Sequence, residues 1–100
     1  MKILNPDDNP THLISVIPET YPESKAILTI LHELSGTSVT ETLNITQVNG
    51  YIEMTTEEVA VKEGASYELT ILNFDTEKVI WRGKAYATAA ADLQNYKLTQ

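Results

Sequence analysis

The stretch VIWRGKAYAT, residues 79–88, holds the only arginine and the only tryptophan of a chain with 14 acidic and seven basic residues. Successive side chains of a β-strand point to opposite faces of its sheet. This alternation predicts a core-facing set and an outward-facing set. The core-facing set is Val79, Trp81, Gly83, Ala85 and Ala87, and the outward-facing set is Ile80, Arg82, Lys84, Tyr86 and Thr88. We expect Trp81 to anchor the core face and Gly83 to mark a bulge or a close backbone approach.

The preceding run, SYELTIL at residues 66–72, also has a period of two, and NFDTE at residues 73–77 has the length of a hairpin loop. Together with residues 79–88 these segments predict an antiparallel hairpin. Glu68, Thr70 and Leu72 then lie opposite the outward side chains of the last strand. The outward face is therefore expected to bring carboxylates and cations together.

A second hairpin is predicted around Asn49-Gly50, which separates the alternating runs 39–48 and 51–55. Both central positions of a type I′ turn need positive φ, which Asn and Gly tolerate best. The core-facing side chains of this hairpin are expected to be Val39, Leu43, Ile45, Ile52 and Met54.

Two further runs have strand character. HLISVI, residues 12–17, is short and β-prone. The run that begins at Lys25 has a period of two, with one buried face and one mixed face that includes Ile27 and Leu31. The inner face of the second run is expected to hold Ala26, Leu28, Ile30 and Leu34. Residues 56–66 fit either one helical turn or a short strand. Both ends of the chain read as irregular arms, at residues 1–11 and 88–100.

Six to seven short strands with turns at regular spacing indicate one all-β domain spanning residues 1–100. The pattern predicts a small antiparallel β-sandwich, Ig-like or jelly-roll-like. The chain has no cysteine, so disulfides and zinc–thiolate sites are excluded.

The net charge of −7 limits the classes of partner. Binding to a phosphate backbone rests on Lys and Arg, so we expect no nucleic-acid partner. Anionic lipid surfaces repel an acidic chain, and no apolar run approaches the length of a membrane helix, so we expect no membrane partner. The apolar run at residues 1–4 ends at Asn5-Pro6, which does not fit a signal peptide.

No catalytic or cofactor motif stands out. His12 and His32 have no second ligand at close spacing, so we expect neither a metal ion nor a cofactor and interpret both histidines as structural. Glu57 and Glu58 are adjacent, and on a strand they would point to opposite faces, which makes a poor acid–base pair. We therefore expect that the protein is not an enzyme. A small hydrolase remains an alternative, which requires a pocket where His and carboxylate groups converge.

The outward side chains Arg82, Lys84 and Tyr86 are the predicted interface residues. One interpretation, which we favour, is that the two cations neutralise acidic neighbours within the sheet. The other is that Arg82 docks onto an acidic or carbonyl-rich partner surface.

The C-terminal segment, GASYELTILNFDTEKVIWRGKAYAT followed by DLQNYKL, resembles the C-terminal part of small β-rich virion structural proteins of tailed bacteriophages. Those proteins have a glycine turn, a strand like SYEL, a polar hairpin loop, a strand like VIYRGKIFAT and a tail like QNYKL. Trp81 stands where that pattern has tyrosine. The matching positions are Gly64, Ser66, Tyr67, Val79, Ile80, Trp81, Arg82, Gly83, Lys84, Ala87, Thr88, Gln94, Asn95 and Tyr96.

The resemblance implies a non-enzymatic structural protein located in the virion, serving as capsid decoration, neck or tail adaptor, or fibre attachment. Its expected partners are other virion proteins and further copies of itself in a homo-oligomer. The alternative function is a β-sandwich binding module that recognises a glycan or a host surface protein. That alternative predicts an exposed aromatic cluster that includes Tyr86, Tyr51 or Tyr21.

Overall fold

The computed structural model describes residues 2–89, which fold as a small all-β sandwich of two sheets. It has eight strands and one short 3₁₀ turn at Pro6–Asp8. The strands are β1 (Lys2–Leu4), β2 (Leu13–Val16), β3 (Lys25–His32), β4 (Ser38–Asn44), β5 (Thr46–Val48), β6 (Tyr51–Thr55), β7 (Ser66–Asn73) and β8 (Val79–Ala87).

The larger sheet has five strands in the order β1-β8-β7-β3-β4, and the smaller has three in the order β2-β6-β5. All neighbours are antiparallel except β1 and β8, which are parallel. The run at residues 39–48, predicted as one strand, is divided at Ile45, where the chain passes from the larger sheet to the smaller. This division, together with β1, raises the number of strands from the predicted six or seven to eight.

The core lies between the inner faces of the two sheets. The predicted alternation is confirmed in the central strands, where every second side chain is buried. The larger sheet contributes Ala26, Leu28, Ile30, Tyr67, Leu69 and Ile71, and the smaller sheet contributes Ile14, Val16, Ile52 and Met54. The apolar surface removed from water along these strands supplies the main force that holds the sheets together.

The turn at Asn49-Gly50 is also confirmed. Asn49 has φ of 50° and Gly50 has φ of 86°, as a type I′ turn requires, and Val48 pairs with Tyr51. Asn49 and Gly50 suit this turn because both residue types tolerate the left-handed region of the backbone map.

The last strand departs from strict alternation at one point. Ile71 pairs with Trp81 and Leu72 pairs with Val79, so Ile80 is an extra residue in β8. As a result Val79 is 42% exposed and Ile80 is 2% exposed. The prediction that Val79 faces the core and Ile80 faces outward is therefore wrong, because a β-bulge shifts the phase of the strand by one residue.

Two other predicted orientations, those of Leu34 and Thr88, are wrong, and Val39 has the predicted phase without being buried. Leu34 is 94% exposed, because β3 ends at His32 and Leu34 lies in the following turn. Val39 has the inner phase of β4 but remains 44% exposed, because it lines an open cavity with Val59. Thr88 is buried instead of outward-facing, because the strand has ended and its backbone N–H donates to the carbonyl of Leu4.

The ends of the chain differ from the predicted arms where the structure describes them. Lys2–Leu4 form a strand beside β8, so the segment 1–11 is not irregular throughout. At the other end, the backbone N–H of Ala89 donates to Glu63 Oε1 at 2.7 Å. The rest of the predicted C-terminal arm, residues 90–100, lies outside the described residues.

The segment between β6 and β7 forms neither the helical turn nor the short strand that its sequence allowed. It is irregular, yet Val59 and Val61 are buried against the core. Asn9 holds this segment by accepting a hydrogen bond from the N–H of Val61 at 2.9 Å and donating to its carbonyl at 3.0 Å. The irregular segment thus covers the core alongside the smaller sheet.

Gly83 is predicted to mark a bulge or a close approach, and the structure shows the approach. A Cβ at position 83 would lie 2.4 Å from Cη2 of the Trp81 ring. We expect Gly83→Ala to lower the free energy of unfolding by about 1–3 kcal/mol, because the ring must leave its place over the strand. Urea unfolding measures this change.

The matched control repeats the substitution in a Trp81→Leu background. Without the ring the clash is gone, so the cost of Gly83→Ala should fall close to zero. Equal costs in the two backgrounds would contradict the assignment of Gly83 to the Trp81 contact.

Candidate interaction surface on the five-stranded sheet

Arg82 and Lys84 lie on the outward side of the five-stranded sheet, and the third predicted interface residue, Tyr86, lies beyond them on β8. The side chains form three cross-strand rows, set by the registers of β4, β3, β7 and β8. The rows are Thr42, Ile27, Leu72 and Val79; Thr40, Thr29, Thr70 and Arg82; and Ser38, Leu31, Glu68 and Lys84. We call these three rows the outer face.

Lys84 is neutralised within the fold, as the favoured interpretation expects. Its Nζ lies 2.5 Å from Glu33 Oε2 and 3.4 Å from Glu68 Oε2. The hydrogen bond to Glu33 is the main cause that raises the pKa of the Lys84 ammonium, and Glu68 adds to it. The predicted hairpin pairing indicated Glu68 as a partner of Lys84. Glu33 lies beyond the end of β3, and it becomes a neighbour of Lys84 only through the strand order β3-β7-β8.

Arg82 differs from Lys84 although both share one strand face. It is exposed and lies opposite Thr70, and no carboxylate of residues 2–89 comes within ion-pair distance of it. Tyr86, the third predicted residue, is only half-exposed and lies opposite Ser66 and beside Ile3 of β1. Arg82 is therefore the cation of this face that is available to an external acceptor.

The outer face has an apolar part, of which the sequence predicted all but Val79. Ile27, Leu31 and Leu72 are partly exposed, and the bulge brings Val79 into the same face. Arginine set beside apolar side chains is a composition typical of the core of protein–protein interfaces.

His12 is a buried structural residue, with 2% of its surface exposed. Its Nε2 lies 2.6 Å from Asn9 Oδ1, and its backbone N–H donates to Thr56 Oγ1 at 2.7 Å. Loss of hydration lowers the pKa of the imidazole, and this outweighs the opposite effects of the Asp8 charge and a hydrogen bond to the Val59 backbone. The side chain helps to fix the irregular segment on the core.

His32 occupies a different site, beside an open cavity of about 340 Å³. Its Nδ1 lies 2.6 Å from Ser35 Oγ, and its ring lies 5.1 Å from that of Tyr67. A Ser–His–Asp arrangement also needs a carboxylate that orients the imidazole. None lines this cavity, and His12 is not part of its lining. His32 also lines a neighbouring opening of about 720 Å³ together with Glu33 and Glu63. Within residues 2–89, however, its imidazole bonds to Ser35, and no ion pair joins it to either carboxylate.

Tyr21 and Tyr51 meet at one hairpin on the other side of the sandwich. The Tyr21 hydroxyl donates to the carbonyl of Gly50 at 2.6 Å, next to Tyr51. Both rings are exposed, by 44% and 42%. Tyr86 lies on the other sheet, so the aromatic grouping required by the glycan-binding alternative contains two of the three named tyrosines.

No three His, Asp or Glu side chains of residues 2–89 are arranged to hold a metal ion. No helix in this part of the chain is long and apolar enough to cross a membrane.

Comparisons of this chain with protein-family models, curated proteins and solved structures found no match.

The different roles of Lys84 and Arg82 can be separated by their effects on stability. We expect Lys84→Ala to lower the free energy of unfolding, because Glu33 and Glu68 then face each other without the cation. We expect Arg82→Ala to leave it unchanged. Urea unfolding at low and high salt is the measurement, and the Lys84→Ala effect should shrink at high salt. Equal effects of the two substitutions would contradict this division of roles.

The burial of His12 makes stability depend on pH. Its pKa is lowered in the folded state, so the unfolded chain binds more protons as the pH falls through the ordinary imidazole range near 6.5. The stability due to neutral His12 is therefore present above that range and is lost on acidification. We expect the unfolding free energy of wild type to fall more steeply below about pH 6.5 than that of His12→Gln. Parallel pH profiles would refute this.

Proposed function

We propose that this protein is a non-enzymatic structural component of a tailed-phage virion that acts through protein–protein assembly contacts. The proposed position in the particle is capsid decoration, neck or tail adaptor, or fibre attachment. Its partners are other virion proteins, and we propose that it forms a homo-oligomer in the assembly.

The observation that carries this proposal is the outer face of the five-stranded sheet. Arg82 stands there exposed, without a carboxylate partner among residues 2–89, beside the partly apolar row that includes Leu72 and Val79. Arginine and apolar side chains on a broad sheet face suit contact with another protein better than contact with a small molecule. The complementary partner surface is acidic or rich in carbonyl groups.

The residues that carry the phage resemblance fall into a group that shapes the fold and a group at the surface, and this division supports the same proposal. Within the matched hairpin, Gly64 has φ of 82° and Gly83 lies under the Trp81 ring, so these positions serve the fold. Arg82 and Lys84 are both exposed, but Lys84 is paired with Glu33 and Glu68, so Arg82 is the one available to a partner. The matched pattern therefore contains both the glycines that shape the hairpin and the two cations at its surface.

A second candidate is a binding module for a glycan or a host surface protein. Exposed aromatic rings stack on sugar faces, and Tyr21 and Tyr51 are both exposed at the hairpin around Gly50. This candidate uses the opposite side of the molecule from Arg82. Saturable sugar binding that is lost in Tyr51→Ala and retained in Arg82→Ala would favour it over assembly.

Quantitative mass spectrometry of purified particles of the encoding phage tests the proposal. We expect the protein in the particle, and its ratio to the major capsid protein gives the position. A ratio near one indicates capsid decoration, and a small fraction indicates the neck, tail or fibre attachment. Absence from purified particles would refute the virion proposal and favour a binding module made during infection.

Substitution of Arg82 tests the proposed surface. We expect Arg82→Ala to weaken incorporation by about fivefold to thirtyfold, as for an interface arginine worth about 1–2 kcal/mol. The measurement is the amount of variant retained per particle, and Gln47→Ala, an exposed substitution in β5 of the smaller sheet, is the control. If Arg82→Ala and Lys84→Ala change neither assembly nor stability, these residues are not the interface.

A further inference from the structure

The edges of the two sheets differ in how well they are protected. The edge strands β1 and β5 have three residues each, and β2 has four. Lys2 lies in β1, and its Nζ donates to the carbonyl of Ser15 in β2. Short strands and lysines are usual ways of preventing a sheet edge from pairing with another chain.

β4 lacks both of these protections, and its one charged residue is Glu41. It has seven residues, Ser38–Asn44, and its sequence SVTETLN contains no lysine and no proline. No strand of residues 2–89 pairs with its outer side, since β4 is the last strand in the order β1-β8-β7-β3-β4. A strand of this length and composition is a template for a further strand.

The hydrogen bonds at both ends of the β3–β4 hairpin show which backbone groups are free. His32 N–H donates to the Thr37 carbonyl, and Ile45 N–H donates to the Ser24 carbonyl. Bonded pairs recur at every second residue of an antiparallel ladder, so the intervening residues of β4 turn their N–H and C=O groups away from β3. These residues are Ser38, Thr40, Thr42 and Asn44.

The surroundings of this edge are acidic. A groove of about 300 Å³ between β4 and the smaller sheet is lined by Thr42, Glu53 and Glu57, and no cation lines it. Glu41 accepts hydrogen bonds from the N–H groups of Glu57 at 2.8 Å and Glu58 at 3.4 Å, which fixes these residues beside the strand. Lys25, opposite Asn44 in register, has its ammonium over the Phe74 ring instead.

We infer that the free edge of β4 accepts an extended segment of another protein that carries lysine or arginine at alternate positions. Its backbone pairs with the four outward residues of β4, and its cations meet Glu53, Glu57 and Glu58. This inference goes beyond the proposed function, because it assigns a second surface and a partner of opposite charge to the one that Arg82 would bind.

A second copy of this chain is a poorer occupant than a basic segment. An antiparallel pair of β4 strands that uses all four free residues joins Ser38 to Asn44 and Thr40 to Thr42. That register places Glu41 of one copy opposite Glu41 of the other, and like charges directly opposite are destabilising. The net charge of −7 on each copy adds repulsion between them.

The probe is a capped synthetic peptide that alternates lysine with valine and threonine, and its matched control has glutamate in place of lysine. We expect the lysine peptide to bind the full-length protein by calorimetry, and the glutamate peptide not to bind. In the amide NMR spectrum, the shifts and the new protection from exchange should centre on Thr40 and Thr42.

Thr42→Pro tests the backbone pairing. Proline removes an N–H that points away from β3, which an edge strand tolerates. We expect peptide affinity to fall by about threefold to tenfold relative to Thr42→Ala, the effect of one lost hydrogen bond. Equal affinities of these two variants would overturn the inference, since binding would then be electrostatic without strand pairing.

Glu57→Lys tests the charge without touching the backbone of β4. We expect it to weaken the lysine peptide and to permit the glutamate peptide, whereas Glu19→Lys, on the side of β8, changes neither preference. Equal effects of the two charge reversals would overturn the inference. It is also overturned if Thr40 and Thr42 are already protected from exchange in the free protein, because the edge is then occupied by a second copy or by the chain itself.

Discussion

The packing of the two inner sheet faces is the constraint on which the rest of the molecule depends. The central strands β3 and β7 set Leu28 and Ile71 against side chains such as Ile14 and Ile52 of the smaller sheet. Three strands do not cover the inner side of five, so the irregular segment with Val59 and Val61 completes the cover. A chain of 100 residues can build only a thin core, and the buried hydrophobic side chains of residues 2–89 form one cluster in this interior.

Two surfaces of different character remain outside that core. The outer face carries Arg82 beside a partly apolar row, and the free edge of β4 lies beside Glu53 and Glu57. One surface would recognise an acceptor-rich partner through side chains, and the other a basic segment through the backbone. We propose that a molecule with both can connect two different neighbours, which is the geometry that an assembly component needs.

Local patterns predicted the parts of the fold that depend on local chemistry. The period of two revealed the buried faces of β3, β6 and β7, and Asn49-Gly50 revealed its turn because that turn needs positive φ. The bulge at Ile80 left no such signal, since three consecutive apolar residues fit either phase. The parallel pairing of β1 with β8 and the Glu33–Lys84 contact depend on strand order, which no local pattern encodes. Periodicity predicted that Arg82 and Lys84 point outward. It did not predict which of the two cations is already paired with carboxylates.

Hydroxyl-radical footprinting of the protein, free and within purified phage particles, tests the central claim that it acts through its outer face in an assembly. The account predicts that Leu72 and Val79 become protected from oxidation in the particle, while Tyr21 and Tyr51 react as they do in the free protein. Protection of the two tyrosines with unchanged reactivity of the outer face would contradict the account and indicate the hairpin around Gly50 as the functional surface.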